Sequence, residues 1–496
     1  MPAQSEVVSG SANGKNEVPS EAEELPRAPE IKHLKEKFRS KDYAEAAGEA
    51  RDLLSGLSAD SPDLDTILFI EGVSLYYCGR HEEAQLSLDR HRADFPMSSY
   101  ASRVHYFFGS NLLKRSCWRI AGHALDHFIH NFPKSELMDY ALYDRATVHL
   151  ALEENQECFS LIDRLEKNFF DSDMMDRAVF LKGKALRKAG KMTRSESAFI
   201  MAKNIARDKG HTKVAAHAMC KLIEISFRQG RSADSADYYD AFFLTYPMSS
   251  RALEAAAAGL PTLSELGRIM PGLNRMEDLI TAMARGVSPK RLRVALRLYA
   301  KHFNEVHGPE QLLKKYRDLL TSAQGNEALR QALILARLEV METYFGNRDS
   351  EIDVFYDEVR SRINRDTLSS CMILKVARHV ARYDRNEALL WLSELLERPA
   401  IGCRDEVIVV MADLCAASED IAQKKLGKEW FEFFLSDYGS PEFMESAVLG
   451  LARVSEQLND RPRALHCWME YLARSDWESA RGEARRALAR IRGLSD

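Results

Sequence analysis

The chain has 496 residues, 45% of them hydrophobic, with 69 Lys and Arg against 74 Asp and Glu and a formal net charge of −5. That balance excludes the basic footprint of a nucleic-acid-binding protein, and no apolar run approaches the roughly 18 residues that mark a membrane-spanning helix. The eight cysteines (Cys78, Cys117, Cys158, Cys220, Cys371, Cys403, Cys415 and Cys467) never form C-x-x-C, which excludes a zinc ribbon or a neighbouring redox pair and favours a reducing compartment.

Residues 1–30 are polar, rich in Glu, Ser and Pro, and without periodicity, so they are expected to be a disordered N-terminal tail. Met1 to Gly10 lack a charged start and an apolar core, so no signal peptide is read. The expected location is therefore cytoplasmic. A leader upstream of Met1 would instead make it periplasmic or envelope.

The helical pattern begins at Ile31. Leu68 to Ala101 describes one helical hairpin: Gly72 lets two helices approach, Gly79 breaks the chain between them, Ala84 and Leu88 sit at the crossing, and Pro96 ends the second helix. Steps of 37 carry Gly72 to Gly109, Ala146 and Gly183, and Pro96 to Pro133 and Phe170. The ending recurs as Phe95-Pro96-Met97-Ser98, Phe132-Pro133-Lys134-Ser135 and Phe169-Phe170-Asp171-Ser172. Tyr246-Pro247-Met248-Ser249 follows after one skipped repeat and a three-residue slip. Ala47 lies 37 before Ala84, so an earlier copy precedes these. One such hairpin cannot bury its apolar face alone, so a stacked array is implied over 31–250.

Residues 251–290 carry Pro261, Pro271 and Pro289 among Gly259, Gly267, Gly272 and Gly286, and are expected to form an irregular elbow. Ser288-Pro289 reads as a cap and first-turn proline opening a further helix. A degenerate lobe over 291–475 keeps the period: Glu339, Val376, Cys415 and Ala452 fall at crossings, and Phe355, Leu392, Phe431 and Trp468 at the large apolar slot. Gly346 and Asn459 separate helices there. Residues 476–496 are expected to be a capping helix. No strand pattern occurs. The expected fold is all-α, a right-handed α-solenoid of helical hairpins with the first helix of each lining a concave face.

Gly72, Ala84, Leu88 and Pro96, then Gly109, Ala121, Leu125 and Pro133, resemble the tetratricopeptide repeat at every consensus position. Later copies depart, with Cys158 and Ser195 at the crossing alanine and Phe170 and Arg207 at the proline. The aromatic-Pro-x-Ser ending followed by Tyr-Ala, Phe95 to Ala101, is similar to that of bacterial envelope repeat proteins of the outer-membrane assembly lipoprotein and Tol–Pal coordinator types. The resemblance implies a scaffold that holds segments of other proteins in a groove. In this repeat type, the residues three before and four after the first-helix small residue point into that groove. They are Phe69, Tyr76, Tyr106, Leu113, Tyr143, Leu150, Phe180 and Arg187, seven of them aromatic or aliphatic.

His123, His127 and His130 share a helix face, as metal-binding histidines do. Ala121, Leu125 and Phe128 take the core side of that helix, which makes a solvated histidine face the plainer expectation. Arg481, Arg485, Arg486, Arg490 and Arg492 form a basic terminal helix that could meet an acidic partner or anionic lipid, although a polar outer face is also what an end repeat needs. Neighbouring His466 and Cys467 point apart on a helix. No phosphate loop, dinucleotide fingerprint or nucleophile elbow is present. The expected function is a non-enzymatic protein-binding scaffold without a cofactor. The alternatives are an envelope assembly factor, with peripheral membrane association, and an enzyme or metalloprotein on a helical-repeat frame.

Overall fold

The computed structural model describes residues 29–57, 61–285, 289–323, 325–346, 349–399, 401–436, 439–474 and 478–492. Among them are 25 α-helices and one 3-10 turn, with no strand. The chain is an all-α solenoid of helical hairpins. It divides into two compact units, one ending at Leu279 and the other beginning at Ile280. Of the expected tail, residues 1–28 lie outside the described residues, while Pro29 and Glu30 already belong to the first helix.

The first unit holds α1 (Pro29–Arg39), α2 (Tyr43–Gly56), α3 (Leu64–Tyr77), α4 (His81–Asp94), α5 (Ala101–Lys114), α6 (Trp118–Asn131), α7 (Met138–Ala151), α8 (Asn155–Asn168), α9 (Met175–Lys188), α10 (Met192–Asp208), α11 (Thr212–Arg228), α12 (Ser232–Thr245), α13 (Ala252–Glu265) and most of α14 (Ile269–Met283). Helices α3, α5, α7 and α9 are each 14 residues long and start 37 apart. The slip before Tyr246 has a simple origin: α11 has 17 residues, one turn's worth more than the first helices α3, α5, α7 and α9.

Each hairpin of this unit turns on one left-handed residue. Gly79 (φ 76°) and Gly190 (φ 74°) take that conformation freely, but Ser116 (φ 59°) and Glu153 (φ 65°) occupy the same repeat position. The aromatic-Pro-x-Ser ending has a local job. In all four copies the serine hydroxyl, on Ser98, Ser135, Ser172 or Ser249, accepts the backbone N–H two residues on, shaping the chain just before the next first helix. Ser98 also donates to Asp65 of the previous first helix at 2.7 Å, as Ser172 does to Asp139.

The crossings are tight. Ala84, Ala121, Cys158 and Ser195 are all fully buried. Ser195 is tolerated because its hydroxyl donates to the Gly183 carbonyl at 2.7 Å. First helices of successive hairpins pack along one another in the order α1, α3, α5, α7, α9, α11, α13, and among the described residues no second helix makes comparable contact with another. The stack of this unit is therefore concave on its first-helix side.

The expected irregular elbow is corrected, because 252–283 is an ordinary hairpin of two helices. Pro271 falls in the first turn of α14, where its missing N–H has no helical partner to lose. Pro261 lies within α13 behind an alanine run. Gly259 and Gly272 are small because neighbours press on them: added Cβ atoms would lie 2.1 Å from Tyr239 Cδ2 and 2.7 Å from Leu263 Cδ1. Only Gly267 (φ 66°) acts as a turn. Gly286 and Ser288 lie outside the described residues.

The second unit continues with α15 (Pro289–His307), α16 (Pro309–Ser322), α17 (Glu327–Tyr344), α18 (Asp349–Arg362), α19 (Ser370–Val380), α20 (Arg385–Leu396), α21 (Arg404–Ala416), α22 (Ile421–Ser436), α23 (Pro441–Gln457), α24 (Arg461–Arg474) and α25 (Glu478–Arg492). Val376, Cys415 and Ala452 are buried at their crossings, as are Leu392, Phe431 and Trp468 on the second helices. The phase fails at Glu339 and Phe355, which stay half-exposed while Leu338 and Val359 are buried. Glu339 pairs with Arg297, and Phe355 carries the Arg337 guanidinium 4.9 Å above its ring. Helix α25 packs on α24 through Ala484, Ala487 and Leu488.

Candidate functional site on the first-helix face

The eight expected groove residues do lie on the first helices, but not as an open apolar strip. Phe69, Tyr106, Leu113, Leu150 and Phe180 are buried in the core, and Tyr76 and Tyr143 pack against it with partial exposure. Phe69 stacks on Tyr100 at 4.3 Å, and Phe180 lies 4.5 Å from the His217 ring. The expectation of an exposed apolar patch is corrected here. Neighbouring first helices touch, so these positions fall in the seams between them. Arg187 stays half-exposed and pairs with Glu224 of the next first helix at 2.8 Å.

A polar ladder links the same helices. The Tyr76 hydroxyl lies 3.0 Å from Ser110 Oγ, and Tyr106 donates to Asp144 at 3.2 Å. Asp144 is buried, and burial raises its carboxyl above the ordinary carboxylate range. Burial likewise pushes the Tyr143 phenol up to about 12.

Toward α9 and α11 the face turns basic. Lys221 pairs with Glu254 at 2.7 Å and Arg251 with Glu254 at 2.9 Å. Lys184, half-buried on α9, has no ion-pair partner among the described residues, whereas Lys114 and Arg177 act on the buried Asp144 carboxylate. Lys184 is the most conflicted. Burial lowers its pKa, and Lys221, Lys188, Arg187 and Arg251 lower it further by like-charge repulsion. Burial and Arg251 hold His217 near 3, so it adds no positive charge. Offsets of −3 and +4 could not find Lys184. The column one residue past the small residue could have, since it runs Val73, Ser110, Thr147, Lys184, Lys221 and turns from apolar to cationic.

The remaining candidates stay separate. His123, His127 and His130 are exposed on α6, opposite buried Ala121, Leu125 and Phe128. His127 stacks on His105 at 4.8 Å. Among the described residues no three His, Cys, Asp or Glu side chains converge to hold a metal. Cys467 is buried, and burial pushes its thiol up to about 11, the opposite of an activated nucleophile. In the terminal helix, Arg490 pairs with Glu456. No described helix is long and apolar enough to cross a membrane.

No family model matches the chain, and no curated protein matches it. Solved structures resemble it over part of its length. The Pseudomonas aeruginosa pilF protein is 10% identical with a TM-score of 0.36, covering 45% of this chain and 91% of its own. A tetratricopeptide repeat protein from Parabacteroides merdae is 13% identical with a TM-score of 0.37, covering 55% and 99%. The C-terminal part of a TPR repeat-containing protein from Cytophaga hutchinsonii is 10% identical with a TM-score of 0.35, covering 55% and 94%. Likeness of that degree carries no argument here. The helix order and packing described above show an all-α solenoid of helical hairpins.

Proposed function

We propose that the chain is a non-enzymatic interaction scaffold whose first unit holds an acidic segment of a partner protein along the first-helix face at α7, α9 and α11. The observation that carries this is Lys184: a half-buried cation with no anion beside it, surrounded by further cations, destabilises the free protein and is relieved by a bound carboxylate. The partly exposed rings of Tyr140 and Tyr143 on the neighbouring first helix offer contact area.

The test is a titration of the purified chain with a labelled Glu- and Asp-rich peptide and with a Lys-rich peptide of equal length. Selective binding of the acidic peptide that weakens with added salt, and that drops at least tenfold in Lys184→Glu, supports the reading. Equal binding of both peptides, or acidic-peptide binding untouched by Lys184→Glu, overturns it.

A further inference from the structure

The basic stretch of the first-helix face is short of carboxylates. Arg187 and Lys188 follow Lys184 by three and four residues, so the three cations share one side of α9. Lys221 holds the equivalent place on α11, 37 residues further on. Glu224 and Glu254, the carboxylates that pair along this stretch, are already engaged. Glu224 serves Arg187 at 2.8 Å and Arg228 at 2.9 Å, and Glu254 serves Lys221 at 2.7 Å and Arg251 at 2.9 Å. An anion that answers Lys184 therefore comes from another part of the chain or from a partner.

The amino-acid sequence supplies one within reach. Residues 1–28 lie outside the described residues, and among them Glu17-Val18-Pro19-Ser20-Glu21-Ala22-Glu23-Glu24 carries four carboxylates and no cation. This segment joins the fold at Pro29, the first residue of α1. Helix α1 begins the row of first helices, which pack in the order α1, α3, α5, α7, α9. With neighbouring axes about 8–10 Å apart, α9 lies four steps, roughly 30–40 Å, along that row. An extended chain covers at most about 3.3–3.6 Å per residue, so the twelve residues from Glu17 to Pro29 span up to about 40 Å. The concavity of the face shortens the path. Glu17 thus reaches Lys184, while Glu21, Glu23 and Glu24 reach the helices before it, where Lys114 is half-buried on α5.

We propose that residues 17–24 of this chain occupy the basic first-helix face as an intramolecular competitor, which the acidic segment of a partner displaces. The proposal rests on the reading of that face as a site for acidic segments. A short tether holds its segment at an effective concentration on the order of mM, so a weak contact is enough to fill the face. The filled face relieves the repulsion around Lys184 in the free protein. It also sets a threshold: a partner segment must carry a denser acidic run than Glu17–Glu24 to take its place.

The test uses the full chain and a variant with Glu17→Gln, Glu21→Gln, Glu23→Gln and Glu24→Gln together. All four positions precede α1, so every packed helix keeps its residues. Both proteins are titrated with the labelled Glu- and Asp-rich peptide, and both are treated with a carbodiimide, which couples a carboxyl to an amine without a spacer. The variant should bind the peptide at least fivefold tighter. The wild-type chain should yield an amide link, within one molecule, between Lys184 and one of the four glutamates. Excess unlabelled peptide should suppress that link, and the variant should lack it. Lys184→Arg should lose the link yet keep the peptide affinity, because it removes the amine and retains the charge. Coupling only to Lys32, Lys35 or Lys37 of α1, or a link between two chains, overturns the proposal. Equal peptide affinity in the wild type and the glutamine variant overturns it too, and leaves the partner site standing. A link at Lys184 with no peptide bound by either protein has the reverse meaning: the segment lies on the face, and the reading of that face as a partner site fails.

Discussion

Gly72 of α3 faces Leu88 of α4 so closely that a Cβ on the glycine would lie 2.9 Å from both Leu88 Cγ and Cδ2. Gly109 and Leu125 repeat the relationship, as do Gly183 and Phe199. The large partners are fully buried and have nowhere to swing. Gly72→Val should therefore destabilise the first unit by about 1–3 kcal/mol through overpacking, and Ala84→Leu or Ala121→Leu should act alike. An unchanged denaturation midpoint would mean that the helices do not cross there.

Ser116 and Glu153 hold a left-handed backbone that Gly79 and Gly190 hold at the equivalent turns. An L side chain pays a steric penalty in that region. Ser116→Gly and Glu153→Gly should each stabilise the protein by about 1 kcal/mol, read from urea unfolding. Loss of stability in both would contradict the assigned turn.

Burial raises the Asp144 carboxyl pKa, against the opposing pull of Ser110, Lys114 and Tyr106. A carboxyl whose folded pKa is raised binds its proton more tightly in the folded state. Its cost is absent below the unfolded pKa and is complete only above the folded one. Asp144→Asn keeps an acceptor for Tyr106 but cannot ionise. It should be the more stable protein at neutral pH and lose that advantage as pH falls through the carboxylate range. Parallel stability curves for the two proteins would rule this account out.

Lys184 is half-buried among like charges. Lys184→Met retains the packed stem and removes the charge, so it should raise stability by up to about 1 kcal/mol while weakening acidic-peptide capture. A variant that loses stability yet captures the peptide at full strength would place the charge in a structural role instead.

Gly259 is pressed by Tyr239. Gly259→Ala should cost about 1–3 kcal/mol by overpacking, even though alanine is the better helix former. Limited proteolysis should cut 252–283 no sooner than 65–250. A neutral substitution together with early cleavage there would restore the irregular elbow.

The repeat length, the turn residues and the crossings were legible in the amino-acid order because each is a local demand recurring at a fixed offset. A hairpin turn needs a left-handed residue, as at Gly79, and a close crossing needs a small one, as at Gly72 and Ala84. The bearing of Pro261, Gly259 and Gly272 was not legible, since a glycine that admits Tyr239 looks the same in text as one that breaks a helix. The groove positions marked the right helices but the wrong exposure, because the spacing between successive first helices is set by how whole hairpins stack. That stacking buries Phe69, Tyr106 and Phe180 and leaves Lys184 facing outward among cations.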